Sequence, residues 1–306
     1  MEESKNLAKK TLNRGFWLAF CASALWGISG TVLQVVAKNL NIPAMWFIGT
    51  RTTVAGIILL IVGLIVLPKN QFFAVFKNWK DLLTLLSFSV FGLLANMYTF
   101  FLSIQTGNSS TATILQYLSP LFIMIGAIIF TKKKTSRIDV ISFALALVGV
   151  VLMITRGNLS HLSIPLVSVI WGIGSGITAA LYITIPQKLI AKYHGILITG
   201  WGMLLAGIIA NCFNPIWVNP PKMNTASILG VGTVILIGTV SAFLLMVLST
   251  KYTTAAIVSI TDAVQPFTTL ILSIIFLKYV VNLPEIIGAI IVVLAIYVLN
   301  RYDDVG

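Results

Sequence analysis

Long apolar segments alternate with short polar connections along the whole chain. A membrane-spanning helix needs about 20 predominantly apolar residues. Segments of that kind cover residues 15–37, 44–67, 82–105, 109–130, 138–155, 164–186, 195–213, 226–249, 254–276 and 284–300. Two connections, Gln105–Ser109 and Lys251–Thr254, are so short that the helices they join must run antiparallel. The pattern predicts an all-α membrane protein with ten transmembrane helices.

The ninth apolar segment contains a carboxylate, an amide and a proline within the stretch Ser259–Thr269. Its polar and proline positions recur at helical spacing and share one face: Ser259, Asp262, Pro266, Thr269 and Ser273. A charge at the centre of a membrane helix costs about 2.5–3.5 kcal/mol on insertion scales, and such residues usually face a bundle interior or a wet cavity. Asp262 is the one acidic residue that we expect in the hydrocarbon core.

The chain contains an internal repeat at an offset of 145–146 residues. The aligned pairs include Trp26-Gly27 with Trp171-Gly172, Pro120 with Pro266, and Gln116 with Asp262. Because each copy holds five spans, an odd number, the second copy must enter the membrane from the opposite side. Inverted repeats of this kind are the architecture of many secondary transporters. We predict two five-helix repeats, residues 15–156 and 157–301, between cytoplasmic tails of residues 1–14 and 302–306.

The basic residues are spread over the connections instead of forming one patch. With a cytoplasmic N-terminus, fifteen fall on the inner side: Lys5, Lys9, Lys10, Arg14, Lys69, Lys77, Lys80, Lys132, Lys133, Lys134, Arg137, Lys188, Lys192, Lys251 and Arg301. Four fall on the outer side: Lys38, Arg156, Lys222 and Lys278. The positive-inside rule then predicts a multi-pass protein of the plasma or inner membrane with both termini in the cytoplasm. The net charge of +12 does not indicate a nucleic-acid partner, since that needs a basic patch on a folded surface.

Polar side chains indicate which spans face the inside of the bundle. The first, third, fourth and sixth spans carry polar or aromatic stripes at helical spacing. These stripes comprise Ser23, Trp26, Gly30 and Gln34; Asn96, Thr99 and Ser103; Thr113, Gln116, Tyr117 and Pro120; and Ser168, Trp171, Ser175, Thr178 and Tyr182. Spans five and ten carry few polar residues away from their ends. We expect spans one, three, four, six and nine around a cavity and spans five and ten at the periphery, and we leave spans two, seven and eight undecided.

Several of these residues also have structural interpretations. Trp26 and Trp171 lie deep enough either to line a cavity or to pack within the bundle. Arg51, early in the second span, could pair with a substrate, but we favour snorkelling toward the membrane interface. Pro120 and Pro266 are expected to kink their helices and free carbonyl groups near the membrane midplane.

Composition and the rare reactive residues narrow the class of protein. Hydrophobic residues make up 58% of the chain and charged residues 9%, against about 25% charged residues in average soluble domains, which excludes a soluble globule. His161 and His194 lie in predicted loops, whereas Cys21 and Cys212 lie in spans near opposite faces. These residues form no constellation for hydrolysis or metal binding. We therefore predict neither an enzyme nor a metal or other cofactor, and we see no filter residues of the kind that channels use.

Three motifs carry a family resemblance. Trp26-Gly27 in the first span, Leu118-Ser-Pro-Leu121 in the fourth and Gln265-Pro266 in the ninth resemble the drug/metabolite transporter superfamily, EamA type. Arg51 and Gly149-Val150 also fit, and the resemblance covers essentially the whole chain as two copies of a five-helix unit. It implies a carrier that moves small metabolites, amino acids, amines, nucleotide conjugates or drugs by alternating access.

The chain departs from that family pattern at the ends of two helices and before one proline. The family often ends its fourth and ninth helices with Gly-Glu, where this chain has Thr131-Lys132 and Leu277-Lys278. The glutamate that frequently precedes the ninth-span proline is Gln265 here, and the carboxylate stands one turn earlier as Asp262. The resemblance therefore implies the fold more directly than it implies a substrate.

Together these features predict a secondary active transporter that moves a small polar or cationic metabolite by alternating access, with export favoured. An amino acid, an amine or a quaternary ammonium compound would suit Asp262, because the carboxylate offsets an ammonium charge. Aromatic faces would each add about 0.5–2 kcal/mol by cation–π attraction. Asp262 is alternatively a carrier of the coupling proton. The second function that we consider is an uptake carrier or facilitator for choline-like or other metabolites.

The predicted substrate-binding residues are polar or aromatic and stand on spans expected at the cavity. They are Asp262, Trp26, Trp171, Tyr98, Tyr117, Gln116, Tyr182, Asn96, Gln265 and Ser175. We expect a small-molecule substrate and the lipid bilayer as partners, and no nucleic acid. A homodimer is left open.

Overall fold

A computed structural model describes residues 2–131, 136–158, 162–253 and 261–303. Eight helices in these ranges are long and apolar enough to cross a membrane: Leu12–Asn39, Ala44–Val66, Trp79–Thr106, Ser109–Phe130, Arg137–Thr155, Leu166–Ile190, Gly195–Phe213 and Thr225–Ser249. Two shorter apolar helices, Val264–Leu277 and Leu283–Leu299, follow them. We name these helices the first to the tenth span in chain order, and we count with the ninth span the helical residues 261–262 and the turn at Ala263 that precede Val264. The predicted all-α membrane fold is confirmed.

The number of ten crossings stays a prediction, because the last two apolar helices are shorter than a full span. The predicted ninth span begins at residue 254, and residues 254–260, which include Ser259, lie outside the described ranges. His161 and the basic cluster of residues 132–134 also lie outside them.

Several spans combine α-helix with other helical turns. The α-helical parts are Glu2–Gln34, Ala44–Val66, Trp79–Ser87, Ala95–Thr106, Ser109–Gln116, Ser119–Thr131, Arg137–Thr155, Leu166–Thr184, Gln187–Ile190, Gly195–Phe213, Thr225–Ile235, Ala242–Ser249, Val264–Leu277 and Leu283–Asp303. A π-helical turn, Val35–Asn39, ends the first span. The third span contains another, Phe88–Leu94, and the eighth contains Leu236–Ser241. The latter two occupy nearly corresponding places in the two repeats, and π-helical turns are frequent at functional sites.

Side-chain caps explain where several spans begin. Asn108 accepts a hydrogen bond from the backbone nitrogen of Thr111 at 2.8 Å, at the start of the fourth span. Asn224 accepts one from the backbone nitrogen of Ser227 at 2.8 Å, at the start of the eighth. These caps satisfy backbone donors that a helix leaves unpaired at its N-terminus.

The second and seventh spans, one from each repeat, pack closely through glycines. A Cβ atom added to Gly56 would lie 2.6 Å from the backbone nitrogen of Leu204, and one added to Gly207 would lie 2.8 Å from that of Thr53. Small residues allow membrane helices to approach at backbone distance, where dispersion and weak polar contacts replace the hydrophobic effect. The second and seventh spans therefore form a tight pair between the repeats.

The fifth and tenth spans form a second pair between the repeats. A Cβ atom on Gly149 would lie 2.7 Å from the carbonyl oxygen of Gly288, and one on Gly288 would lie 2.5 Å from that of Gly149. The opposite faces of these helices expose large apolar side chains, among them Ile141, Val148 and Leu294. This distribution is typical of helices that face lipid on one side, as expected for peripheral spans.

The fourth and ninth spans are both interrupted three residues before a proline. In the fourth, the α-helix ends at Gln116 and resumes at Ser119; in the ninth, a turn at Ala263 precedes the helix that begins at Val264. A proline ring clashes with the carbonyl group four residues earlier and removes its hydrogen-bond donor. Four residues before Pro120 stands Gln116, and four residues before Pro266 stands Asp262. The prolines therefore place both helix breaks at the polar residues.

Candidate functional site

A cavity of about 200 Å³ lies between the two repeats. The first and third spans line it with Trp26, Ser29, Gly30 and Leu33, and with Leu93, Asn96, Met97 and Phe100. The fourth, sixth and ninth spans add Thr113, Gln116, Tyr117 and Ser119; Ala179, Tyr182 and Ile183; and Asp262 and Gln265. The second and eighth spans each add one residue, Arg51 and Phe243. Spans one, three, four, six and nine thus surround the cavity as expected.

Asp262 is the last residue before the ninth-span break, and it lines this cavity. The Ser23 hydroxyl, fully buried in the first span, donates a hydrogen bond to Asp262 Oδ1 at 3.1 Å. Among the described residues, no basic side chain forms an ion pair with Asp262. The carboxylate is therefore positioned by the first span and is available to a cationic group in the cavity.

A close contact between the first and ninth spans brings Trp26 to the same place. A Cβ atom on Gly27 would lie 2.6 Å from Thr268 Cβ and 2.8 Å from the carbonyl oxygen of Gln265. The Thr269 hydroxyl lies within hydrogen-bonding distance of the carbonyl oxygens of Gly27 and Gln265, at 3.2 and 3.0 Å. The Trp26-Gly27 motif therefore has a physical reason: the glycine admits the ninth span, and the tryptophan beside it faces the cavity.

Gln116, the repeat mate of Asp262, makes different contacts. Its Nε2 donates to Asn96 Oδ1 at 2.9 Å and lies 2.9 Å from the Ser175 hydroxyl. Ser175 is fully buried. These contacts connect the third, fourth and sixth spans, so the amide of Gln116 is engaged within the protein.

Aromatic rings form one wall of the cavity. The Trp26 and Phe243 rings meet edge to face with centroids 5.4 Å apart, and Phe243 meets Tyr182 in the same way at 6.0 Å. Tyr182 in turn stacks on Phe88 at 5.7 Å. The chain of rings fixes the orientation of Trp26 and Tyr182 beside a cavity that also holds a carboxylate, an arrangement suited to cation–π contacts.

The structure places three of the predicted site residues away from the cavity surface. Tyr98 and Trp171 do not line the cavity; their rings pack edge to face against each other at 6.0 Å, between the third and sixth spans. Ser175 lies behind Gln116 and contacts it by a hydrogen bond. Trp26 and Trp171 are aligned in the repeat, yet Trp26 lines the cavity whereas Trp171 packs against Tyr98. The other seven predicted residues line the cavity: Asp262, Trp26, Tyr117, Gln116, Tyr182, Asn96 and Gln265.

Arg51 corrects an expectation from the sequence. Snorkelling toward the interface is wrong for this side chain, because Arg51 lines the cavity and its Nε donates to the Thr239 hydroxyl at 2.8 Å. Thr239 is fully buried in the π-helical turn Leu236–Ser241 and lies 2.9 Å from the carbonyl oxygen of Val234. An arginine near a helix end is ambiguous in sequence, and its partner here comes from the other repeat.

Two polar clusters join separate segments at the ends of the bundle. Asp81, at the start of the third span, accepts hydrogen bonds from Lys192 at 2.9 Å and from the Tyr193 hydroxyl at 2.8 Å. Burial and the hydrogen bond to Asp81 raise the pKa of Tyr193. At the end of the fifth span, Arg156 Nε lies 3.2 Å from Glu285 Oε2.

Tyr279 completes this second cluster. Its hydroxyl donates to Glu285 and receives a hydrogen bond from Arg156 at 3.1 Å. Burial, together with the bond to Glu285, raises the pKa of Tyr279 to about 12. The first cluster therefore connects the two repeats through the segment between spans six and seven, and the second connects spans five, nine and ten.

The described residues contain no group of three or more His, Cys, Asp or Glu side chains that could hold a metal ion. Cys21 and Cys212 are free and exposed. His194 Nδ1 accepts a hydrogen bond from the backbone nitrogen of Ile196 at the start of the seventh span. Burial and the nearby Lys251 lower the pKa of His194. None of these three residues lines the cavity.

Membrane helices in two repeats that enclose a polar cavity at broken spans have the architecture of a transporter. The chain belongs to the EamA-like transporter family, a branch of the drug/metabolite transporter superfamily, because the model of that family matches residues 13–155 and again residues 166–301. The resemblance seen in the sequence motifs is thereby confirmed.

Comparisons with individual proteins agree with this assignment. The uncharacterized inner membrane transporter YicL from Salmonella typhimurium is 29% identical over 287 residues, which cover 94% of this chain and 95% of that protein. An uncharacterized transporter from Archaeoglobus fulgidus is 26% identical over 202 residues, covering 65% of this chain and 67% of its own length. One crystal structure has a similar fold, with a TM-score of 0.65 and 14% identity over 96% of this chain and 99% of that chain. The chain is a multi-pass membrane transporter.

Proposed function

We propose that the protein is a secondary active transporter that moves a small polar or cationic metabolite across the membrane by alternating access. The observation that carries this proposal is the position of Asp262, a carboxylate at a helix break in a cavity between the repeats. Intramembrane ionisable residues commonly mark substrate or ion pathways, because a charged side chain without a function is unfavourable in free energy inside the bilayer. The substrate we propose carries an ammonium group.

The surroundings of Asp262 support an ammonium ligand. Its carboxylate has a hydrogen bond from Ser23 and no ion pair among the described residues, so it can offset the charge of a bound cation. Trp26, Tyr117 and Tyr182 line the same cavity, and each aromatic face adds about 0.5–2 kcal/mol for a desolvated cation. An alternative role for Asp262 is to carry a coupling proton, and both roles are compatible if substrate and proton compete for the carboxylate.

The repeat architecture supports alternating access. The tight pairs of spans two with seven and of spans five with ten each join one repeat to the other, whereas the fourth and ninth spans are broken beside the cavity. Rocking of one repeat or bundle against the other around a fixed site is the usual motion of inverted-repeat carriers. The cluster around Asp81 links the third span to Lys192 and Tyr193 of the second repeat, so opening that end requires these contacts to separate.

We propose export as the direction, with both termini in the cytoplasm. Uptake, or facilitated diffusion of choline-like compounds, is the alternative, because the same cavity would serve either direction. The two are distinguished by flux measurements in right-side-out and inside-out vesicles with an imposed proton gradient. Substrate flux out of the cell that is driven by protons moving inward down their gradient supports export. Substrate flux that does not depend on the proton gradient supports a facilitator.

The function is tested in proteoliposomes with labelled amino acids, amines and choline-like compounds. We expect at least one compound with an ammonium group to be transported by the wild type, and transport to fall at least about thirtyfold in Asp262→Asn, since loss of one partner of a desolvated charge pair costs about 2 kcal/mol or more. Cys212→Ser, on a span that does not line the cavity, is the matched control and should transport normally. Transport and pH dependence that are unchanged in Asp262→Asn would remove Asp262 from both the substrate and the proton role.

A further inference from the structure

Lysines and exposed aromatic rings share the segment that connects the second span to the third. Residues 68–80 include three lysines and neither an aspartate nor a glutamate. Trp79 is 65% exposed and Phe73 is 59% exposed. Together with the three lysines, which are also exposed, they form what we call the basic–aromatic surface: Lys69, Phe73, Lys77, Trp79 and Lys80.

The other face of the same segment is fixed to the bundle. Phe72 and Val75 are buried, between the exposed positions. Trp201 of the seventh span donates from Nε1 to the carbonyl oxygen of Phe72 at 2.9 Å, and its ring meets that of Phe76 edge to face at 4.8 Å. The exposed side chains therefore project from a backbone that is already held in place, which lowers the entropy that a ligand loses on binding there.

A second basic segment lies beside the first. The short helix Gln187–Ile190 contacts the start of the third span and carries the exposed Lys188. The nearby carboxylate of Asp81 is already engaged, because Lys192 and Tyr193 donate to it at 2.9 and 2.8 Å. The remaining lysines of the two segments form no ion pair with a described residue: Lys69, Lys77, Lys80 and Lys188. This end of the bundle therefore presents positive charge to an external anion.

The position of the surface and its apolar part indicate what that anion is. The segment joins the ends of two membrane spans, so it lies at the depth of the lipid headgroups, where tryptophan is enriched. Leu83, one turn after Trp79 in the third span, is also exposed. An acidic protein segment would pair with the lysines but would leave Phe73 and Trp79 without an apolar partner. A phospholipid supplies both, since its phosphate meets the lysines and its acyl chains meet the rings.

We propose that the basic–aromatic surface binds an anionic phospholipid, such as phosphatidylglycerol, in preference to a zwitterionic one. The lysines contact the headgroup, and Phe73 and Trp79 contact the upper part of the acyl chains. A phosphatidylcholine would contact the same rings, but its choline group cancels the charge that the lysines attract. The proposal concerns a site outside the central cavity and does not rest on the transported compound.

The test uses Trp79 as a local reporter in the full-length protein. The protein is reconstituted in phosphatidylcholine vesicles that contain rising fractions of phosphatidylglycerol or phosphatidylcholine with brominated acyl chains, which quench nearby tryptophans. The fluorescence of Trp79 is obtained as the difference between the wild type and Trp79→Phe. Each lysine near an anionic lipid contributes about fivefold in affinity. We therefore expect phosphatidylglycerol to occupy the place beside Trp79 at least about fivefold more readily than phosphatidylcholine at low salt, and the preference to weaken at high salt.

A pair of double variants assigns the preference to this surface. Lys77→Gln with Lys80→Gln should reduce it to about twofold or less. Lys222→Gln with Lys278→Gln removes the same charge from other segments and should leave it unchanged. Each double variant is compared with its own Trp79→Phe derivative, so that the signal of Trp79 is isolated every time. Thermal unfolding in detergent checks the fold, and we expect no change because none of these lysines forms an ion pair with a described residue.

Each result decides the proposal. A preference for phosphatidylglycerol at Trp79 that is lost in the Lys77 and Lys80 variant and kept in the control supports it. Equal quenching of Trp79 by the two lipids overturns it, and so does an equal loss of preference in both double variants, which would reflect overall charge. Absence of Trp79 quenching by either lipid also overturns it and would favour an acidic protein segment as the occupant. Transport enters none of these measurements, so failure here leaves the proposed transport function untouched.

Discussion

The fourth and ninth spans occupy corresponding places in the two repeats, and in each the helix stops at the residue four positions before a proline. At the fourth-span break stands Gln116, whose amide contacts Asn96 and Ser175. At the ninth-span break stands Asp262, whose carboxylate is contacted by Ser23 and faces the cavity. The same helix break before a proline thus carries an amide with packing contacts in the first repeat and a carboxylate that faces the cavity in the second. The two repeats therefore contain equivalent helix breaks beside the cavity. Of these two breaks, the one in the second repeat carries a charged side chain, Asp262.

The largest effect is expected from making the ninth break resemble the fourth. Asp262→Gln places an amide at both breaks and removes the carboxylate that we propose binds the ammonium group of the substrate. Transport of the best substrate in proteoliposomes should fall at least about thirtyfold, while thermal unfolding in detergent changes little, because the amide can still accept from Ser23. Transport at half the wild-type rate or more would contradict the assignment.

The next effect concerns the contact that brings the first span to the ninth. Gly27→Ala adds a Cβ atom 2.6 Å from Thr268 Cβ, so the helices must separate. Overpacking of this kind costs about 1–3 kcal/mol, and we expect a lower unfolding temperature together with reduced transport, because Ser23 and Trp26 move away from Asp262. Gly126→Ala is the matched control, since a Cβ atom there meets nothing within 4 Å; equal effects of the two variants would argue against a special contact at Gly27.

Removing the fourth-span amide should affect stability more than substrate selection. Gln116→Leu deletes the contacts with Asn96 and Ser175, which at about 0.6 kcal/mol per hydrogen bond in membrane helices amounts to about 1 kcal/mol. We expect a modest decrease in unfolding temperature and a substrate preference that stays the same. A loss of transport as large as that of Asp262→Gln would mean that the two breaks are equivalent in function.

Replacing Pro266 should affect transport more than replacing Pro120. Pro266→Ala removes the clash at the Asp262 carbonyl and allows the helix to close there, which shifts the carboxylate. Pro120→Ala does the same at Gln116. We expect a severalfold increase in KM for Pro266→Ala and a smaller one for Pro120→Ala, measured by substrate-dependent transport. The reverse order would contradict the functional difference between the breaks.

The smallest effect lies at Asp139 and Glu285, which the repeat offset of 146 residues also aligns. Asp139 completes a capping box with Ser136 at the start of the fifth span, whereas Glu285 contacts Tyr279 and Arg156. The pKa of Tyr279 is raised to about 12 from an unfolded value of about 10. The neutral phenol therefore favours the folded state below pH about 10, and this contribution is lost as the pH rises through the folded value of about 12.

The corresponding measurement is thermal unfolding against pH for the wild type and Tyr279→Phe. The wild type should be more stable by a few degrees below pH about 10, with the difference shrinking toward pH about 12. A difference that grows with rising pH would have the wrong sign for a hydrogen-bonding neutral phenol and would reject this account of the cluster.

The overall fold could be predicted from the sequence because apolar segments of membrane length are strong signals. The repeat and the polar break around Asp262 could also be predicted, because a carboxylate, a proline and a Trp-Gly pair are rare in apolar segments. The role of Arg51 could not be predicted, because its partner Thr239 lies in the other repeat. Tyr98 and Trp171 were expected at the cavity, and their contact with each other depends on how the third and sixth spans meet.

The apolar part of the cavity wall also escaped prediction. Leu33, Met97 and Phe100 line the cavity, yet nothing in the sequence separates them from leucines and phenylalanines that pack in the core or face lipid. A cavity wall is a property of the assembled bundle, whereas polarity and helix breaks are properties of one segment. Seven of the predicted polar and aromatic residues therefore line the cavity, whereas Arg51 and the apolar part of the wall could not be assigned to it from the sequence.

The most direct test of the difference between the two breaks is to exchange their side chains. Ligand-induced stabilisation by the transported amino acid or amine would be measured for the wild type, for Asp262→Gln and for the double variant Gln116→Asp with Asp262→Gln. Stabilisation by mass action requires binding to the folded protein. We predict stabilisation of the wild type and of neither variant, because Ser23 donates to the carboxylate at the ninth-span break, whereas the side chain at the fourth-span break is held by Asn96 and Ser175. Full stabilisation of the exchanged variant would contradict the account, since a carboxylate at either break would then suffice.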